Sequence, residues 1–225
     1  MEAYTTEEQQ VEAIKKWFKE NGASTLLTIS IGLAVVFGWQ AWTSSQEENH
    51  QAASSIYQDM TEALVLLNNP EDAEKHARTV RHLGEQLIKE HTGLMYAHFA
   101  ALAIAKLEVD KGNFSAGAER LQWVLDQSSD ESLRNVAKVR MARVLSAQEK
   151  YDEALVLLSS PLDASISALA EEIKGDIYVQ MGAVFEARMA YQRSIDVAAS
   201  KGSQKDALVQ MKLDDLAVSP ELATE

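Results

Sequence analysis

The chain has 225 residues, with 34 acidic side chains against 21 basic ones and a net charge of −13. An acidic surface repels phosphate backbones, which sets aside DNA and RNA binding, and the absence of cysteine excludes disulfides, thiolate zinc sites and thiol catalysis. Three prolines and 7% aromatics, with Ala, Leu, Glu and Lys abundant, point to an all-α fold.

Residues 1–21, MEAYTTEEQQVEAIKKWFKEN, form a polar tail. Val11, Ile14, Trp17 and Phe18 fall at helical spacing beside Lys15, Lys16 and Lys19. Two readings stand for this tail: a short amphipathic helix at a membrane interface, or a solvated, frayed end.

Residues 22–45, GASTLLTISIGLAVVFGWQAWTSS, carry no charge and are almost wholly apolar from Leu26 to Trp42. A helix of about 20 such residues crosses the hydrocarbon core of a bilayer. Three lysines lie just before this stretch. The first basic residue after it is Lys75, preceded by Glu47, Glu48, Asp59 and Glu62. Basic residues stay on the cytoplasmic side, so the N-terminus is expected in the cytoplasm and the rest of the chain outside it, which in a Gram-negative bacterium means the periplasm. A cleaved signal peptide competes with this reading. The long, partly acidic segment before the apolar run and the lack of an A-x-A site in Thr43-Ser44-Ser45 favour an uncleaved, single-pass anchor. Within the span, Ser30, Ala34 and Gly38 are four apart and share one helix face, a small-xxx-small stripe that suits close packing against another membrane helix.

Beyond residue 45 the balance is 29 acidic to 18 basic side chains, and only helical periodicity is found. The domain is expected over 46–218. The first helix runs from His50 to Asn68, ended by Asn68-Asn69-Pro70, and it either starts afresh or continues upward from the membrane helix. A second runs from Glu71 to Glu90, before the break at His91-Thr92-Gly93. The stretch from Leu94 to Val109, LMYAHFAALAIAKLEV, is apolar almost all round and reads as a buried central helix.

Three later segments line up: KGNFSAGAERLQWVL (111–125), EKYDEALVLLSSP (149–161) and MGAVFEARMAYQRSI (181–195). In each, Phe114, Tyr151 or Val184 opens the second helix of a pair. A small residue follows three later (Gly117, Ala154, Ala187), and a large one four beyond that (Leu121, Leu158, Tyr191). These residues resemble the tetratricopeptide repeat, with a period of about 34 residues. The second copy carries Glu149 where the turn usually has glycine, and the first has Gly117 where alanine is usual. After Ser200-Lys201-Gly202, residues 203–217 form an amphipathic capping helix with Leu208, Val209, Met211, Leu213 and Leu216. Residues 219–225 are expected to be disordered.

No catalytic motif emerges. His50, His76, His82, His91 and His98 form no H-x-x-x-H pair, and neither a phosphate-binding loop nor a nucleophile elbow is found. The chain reads as a non-enzyme with no cofactor and no metal. If the repeats are built as the resemblance implies, first helices line a peptide groove. Phe99, Leu102, Lys106 and Val109 come from the first pair, Val136, Val139 and Arg143 from the second, and Leu169, Glu172, Asp176 and Val179 from the third. The alternative is that several of these apolar residues pack under the domain's own N-terminal helices.

The strings QVEAIKKWFKENG (10–22), GWQAW (38–42), MGAVFEARMAYQ (181–192) and QMKLDDLA (210–217), in this order and spacing, resemble the ancillary subunits of the bacterial SecYEG translocon. The resemblance implies a protein of the bacterial inner membrane with a periplasmic tetratricopeptide-like domain. It also implies association with SecYEG and a role in linking translocated chains to periplasmic chaperones. An alternative motivated by Trp17 and Phe18 is a membrane-tethered regulator whose tail holds a cytoplasmic signalling protein.

Overall fold

The computed structural model describes residues 7–69, 71–160, 162–200 and 207–216. Residues 1–6 of the tail, Pro70, Pro161, Lys201-Gly202, positions 203–206 and 217 of the expected capping helix, and the end at 219–225 lie outside the described residues. Among the described residues there are nine helices and no strand.

Helix α1 (Glu7–Leu66) joins three expected elements in one. The tail is helical from Glu7, the apolar stretch follows, and the helix expected from His50 continues it. Nothing between Trp39 and Leu66 breaks the ladder, because that segment has neither glycine nor proline. The helix ends in a turn where the Asn68 and Asn69 amides reach back to the carbonyls of Val65 and Leu66. The chain's contacts divide inside α1, into a unit up to Ala52 and a unit from Ala53 onward.

In the first unit the apolar residues face outward. Leu26, Leu27, Ile29, Ile31, Leu33, Val35, Val36 and Phe37 are each more than half exposed, as no core helix of a soluble domain would be. By length and composition this segment is able to cross a membrane. Its three threonine hydroxyls are satisfied within the helix. The Thr25 hydroxyl donates to the Asn21 carbonyl (2.9 Å), Thr28 to Ser24 (2.9 Å) and Thr43 to Trp39 (3.0 Å). Such back-bonding removes donors that hydrocarbon could not satisfy.

The second unit continues with α2 (Ala73–Glu90), α3 (Met95–Asp110), α4 (Phe114–Gln127), α5 (Glu131–Ala147), α6 (Tyr151–Ser159), α7 (Ala164–Gln180), α8 (Val184–Ser200) and α9 (Ala207–Asp215). Ala53, Met60 and Ala63 from the end of α1 share a core with Ala77, Val80 and Leu87 of α2 and Ala100 and Leu107 of α3. The α3 helix is buried on most of its surface, as its all-round apolar sequence requires.

The pairs α3/α4, α5/α6 and α7/α8 are helical hairpins, with α5 also packed on α7 and α3 on α5. Phe114, Tyr151 and Val184 are the first residues of the second helices. Gly117, Ala154 and Ala187 are buried where the helices cross, and Leu121, Leu158 and Tyr191 are at most 3% exposed. The glycine at 117 is needed there, because a β-carbon would come within 2.6 Å of Val109 and 3.2 Å of the Ala105 carbonyl.

Each hairpin turn uses the same bonds. Asn113, Lys150 and Ala183 amides reach five residues back, to Glu108, Leu145 and Tyr178. Gly112, Glu149 and Gly182 amides reach three back, to Val109, Ser146 and Val179. This is the Schellman closure. It sets φ to +79° at Gly112, +74° at Gly182 and +61° at Glu149. The second repeat therefore keeps the turn without the glycine that relieves it.

Candidate functional site

The first helices of the hairpins frame a cleft. One part, of about 670 Å³, lies between the end of α1, α2 and α3 and is lined by Tyr57, Met60, Leu64, Phe99, Leu102, Lys106 and Arg140 among others. A second part, of about 310 Å³, is lined by Ala105, Lys106, Val109, Leu121, Arg140, Arg143 and Val144. Lys106 and Arg140 line both, so the two form one run along α3 and α5.

This run gathers five of the expected groove residues: Phe99, Leu102, Lys106, Val109 and Arg143. Two of them also serve the core. Phe99 packs its ring 6.0 Å from that of Tyr57 on α1, and Leu102 is only 6% exposed. Phe99 thus lies against the end of α1, while Leu102 belongs to the core shared by α2, α3, α4 and α5. Val139 is 2% exposed and belongs to the core shared by α5, α6 and α7, while Val136 is half-buried against the core beneath α4.

The third pair is occupied. Lys212 of α9 donates to Glu172 Oε1 (2.8 Å) and Asp176 Oδ1 (2.7 Å) and lies 5.8 Å from the centroid of the Tyr191 ring. The Tyr191 hydroxyl donates to the same Asp176 oxygen at 2.7 Å. Val209 anchors α9 at 2% exposure beside Tyr191 and Ile195, with Leu213 and Leu216 partly buried. Leu208 and Met211, expected on the packed face, are more than half exposed. Burial works against the Lys212 charge, but its hydrogen bonds to Asp176 and Glu172 outweigh this and raise its pKa above the ordinary lysine value. Burial and the bond to Asp176 push the Tyr191 hydroxyl up as well. Leu169 is half-buried on the core with α6, and Val179 is exposed at the end of α7. The sequence indicates a capping helix but not which acids it holds, because Lys212 and Glu172 are 40 residues apart.

Two further ion-pair centres tie neighbouring helices together, α2 to α3 and α7 to α8. Arg81 of α2 donates twice to Glu108 Oε1, at 2.9 and 2.6 Å, and Asn113 donates to Oε2 at 2.9 Å. The Asn113 bond is the largest influence on Glu108. Together with Arg81 it overcomes the cost of burial and holds the carboxyl below its usual range. Glu171 is pushed up by burial, but bonds from Lys174 and Arg193, each 2.6 Å, more than reverse this.

The stripe Ser30, Ala34 and Gly38 is exposed on α1, and a β-carbon at Gly38 would meet nothing within 4 Å. Among the described residues, no group of three or more His, Asp or Glu side chains converges as metal ligands would. His98 is buried, with Nδ1 3.2 Å from the Leu94 carbonyl and its ring 5.4 Å from that of Trp123. The arrangement is a scaffold with clefts and charged edges.

Residues 15–218 match the Tetratricopeptide repeat-like domain family. The chain is 31% identical over 211 residues to the Haemophilus influenzae protein named "Ancillary SecYEG translocon subunit", covering 93% of this chain and 97% of that one. The chain belongs to the ancillary SecYEG translocon subunit family. The Escherichia coli subunit of that name is 29% identical over 221 residues, covering 97% of this chain and all of its own length. The Aggregatibacter actinomycetemcomitans subunit is 30% identical over 215 residues, covering 95% and 100%. Similarity to the family thus extends through the α1 segment as well as the repeats.

Proposed function

We propose that this protein is a membrane-anchored interaction subunit of the Sec translocon in the bacterial inner membrane. Residues 22–45 cross the bilayer once, residues 1–21 are cytoplasmic, and the domain over 46–218 is periplasmic. The domain holds partners near the channel exit and links translocated chains to periplasmic chaperones. The observation that carries this reading is the near full-length similarity to proteins named for the translocon. The outward-facing apolar segment of α1 supports the anchor, and the cleft along α3 and α5 supports binding of extended chains. Lys15, Lys16 and Lys19 before the span support the orientation.

The test is purification of the full chain from native membranes in mild detergent, with identification of its companions. Recovery of SecYEG is expected, and photo-crosslinkers at Lys106 or Arg143 are expected to capture a periplasmic chaperone or a translocating chain. Recovery of no translocon component would reject the translocon reading. Failure of the cleft crosslinkers alone would reject only the hand-over role.

Val11, Ile14, Trp17 and Phe18 are each about half exposed or more in the helical tail, which favours a second reading. In it, this segment holds a cytoplasmic signalling protein at the membrane. Replacing Val11, Ile14, Trp17 and Phe18 of the 1–21 tail with serine, with Lys15, Lys16 and Lys19 kept, would then change signalling while leaving SecYEG recovery intact, and an unchanged signalling output would reject it.

A further inference from the structure

Helix α5 reverses the charge of its surroundings. In a chain of net charge −13 it carries Arg134, Lys138, Arg140 and Arg143 against the single acid Glu131. Arg140 and Arg143 are exposed at the cleft, and neither has a hydrogen bond or ion pair with any described residue. The acids of the cleft wall are already engaged: Asp110 with Lys106 at 2.5 Å and Glu74 with Lys111 at 2.9 Å. The uncompensated charge along the cleft is therefore two guanidiniums beside an apolar floor of Ala105, Val109, Leu121 and Val144.

We propose that this cleft is selective for extended chain segments that carry two carboxylates two residues apart, flanked by apolar side chains. The proposal rests on the cleft-binding reading above and names its ligand chemistry. Arg140 and Arg143 are three apart on a helix, which places them on one face with β-carbons about 5–6 Å apart. In an extended peptide, residues two apart point the same way and lie about 6.6 Å apart. Each carboxylate can meet one guanidinium fork. The apolar neighbours gain from covering the floor, and the acidic surface elsewhere on the domain keeps such a segment from settling at other sites.

The test uses the full-length chain in discs of zwitterionic lipid and a short fluorescent peptide that alternates leucine with aspartate. Comparison peptides carry asparagine or lysine in place of aspartate. The aspartate peptide is expected to bind most tightly, with its advantage shrinking at high salt. Arg140→Gln and Arg143→Gln are each expected to weaken it about tenfold, the scale of one charge-assisted hydrogen bond. The R140E/R143E pair is expected to reverse the preference toward the lysine peptide. Arg188→Glu, on the exposed side of α8, is expected to change nothing. Equal binding of the aspartate and asparagine peptides, or an unaltered preference in R140E/R143E of unchanged Tm, would overturn the proposal. So would competition by short-chain phosphatidylglycerol as effective as the peptide itself, which would assign the arginines to lipid. SecYEG recovery is read separately in the same variants. Peptide selectivity without SecYEG removes the translocon reading and keeps this one, and SecYEG recovery without selectivity does the reverse.

Discussion

Gly175 of α7 lies under the ring of Tyr191 on α8: a β-carbon at Gly175 would come within 2.3 Å of the ring's Cε1 and 2.4 Å of Cδ1. The ring cannot retreat freely, because its hydroxyl is held by Asp176 at 2.7 Å and Lys212 lies over its face. The glycine therefore sets how closely α7 and α8 cross, and through Tyr191 it sets where α9 docks. Gly175→Ala is expected to destabilise the domain by about 1–3 kcal/mol, the usual cost of overpacking a filled core. Urea unfolding followed by circular dichroism measures this. An unchanged midpoint would mean that the ring moves aside without loss. The double change Gly175→Ala with Tyr191→Phe should recover part of the loss, since the released ring can shift.

The hairpin turns show how much of the fold the residue pattern carries, and where it stops. Phe114, Tyr151 and Val184 open helices because each follows a turn that needs one left-handed residue, and Gly112 and Gly182 announce two of the three. Glu149 does not announce the third, yet it adopts the same geometry, because the turn is closed by the same pair of backbone bonds, Glu149 to Ser146 and Lys150 to Leu145. The all-round apolar stretch from Leu94 places the central helix for the same reason: no face of it can meet water cheaply. The cleft is only half legible. Helix register brings Phe99, Lys106, Val109 and Arg143 together, but Arg140 is missed, because its place depends on how α5 crosses α3. The occupation of Glu172 and Asp176 by Lys212 is missed for a related reason, as contacts between residues tens of positions apart leave no periodic trace.

Glu149 at φ 61° gives the second prediction. A side chain in the left-handed region costs about 1–2 kcal/mol relative to the helical region, and glycine escapes that cost while losing more backbone entropy on folding. Glu149→Gly is expected to raise stability by a net of about 0.5–1 kcal/mol, seen as a higher Tm in calorimetry. Glu149→Val, with a branched β-carbon in the same conformation, is expected to lower it. A destabilising Glu149→Gly would show that the turn is relaxed as it stands.

The carboxylates set an acid limit. Glu108 and Glu171 both have pKa values below the ordinary 4.5 in the folded chain. A carboxyl lowered on folding contributes stability that is complete above its unfolded pKa. The contribution is lost as pH falls through the folded one. The urea midpoint is therefore expected to be level with respect to these groups from neutral pH down to the ordinary carboxylate range, and to fall below it. Glu108→Gln keeps an acceptor for one neighbour but leaves Arg81 without its ion pair. It is expected to lose about 1–2 kcal/mol at neutral pH and to show a shallower acid decline. An equally steep decline in the variant would assign the acid limit to other carboxyls.

The absence of cysteine makes the membrane proposal directly testable, because any introduced thiol is the only one in the chain. With Glu12→Cys and Arg188→Cys in separate full-length proteins, an impermeant maleimide added to intact spheroplasts is expected to label position 188 and not position 12. Lysis should expose both. Labelling of position 12 alone in intact cells would invert the orientation. The same approach probes the stripe on α1. Gly38 has open space around it, so a bulky side chain there harms no contact within the chain, and any effect must come from a neighbour. Ala34→Leu with Gly38→Leu is expected to reduce SecYEG recovery while leaving the unfolding midpoint of the domain unchanged, because small residues admit a second helix closely and leucines hold it off. The matched control, Val35→Leu on another face of α1, should leave recovery intact. Equal recovery from both variants would show that association does not use the Ser30, Ala34 and Gly38 face.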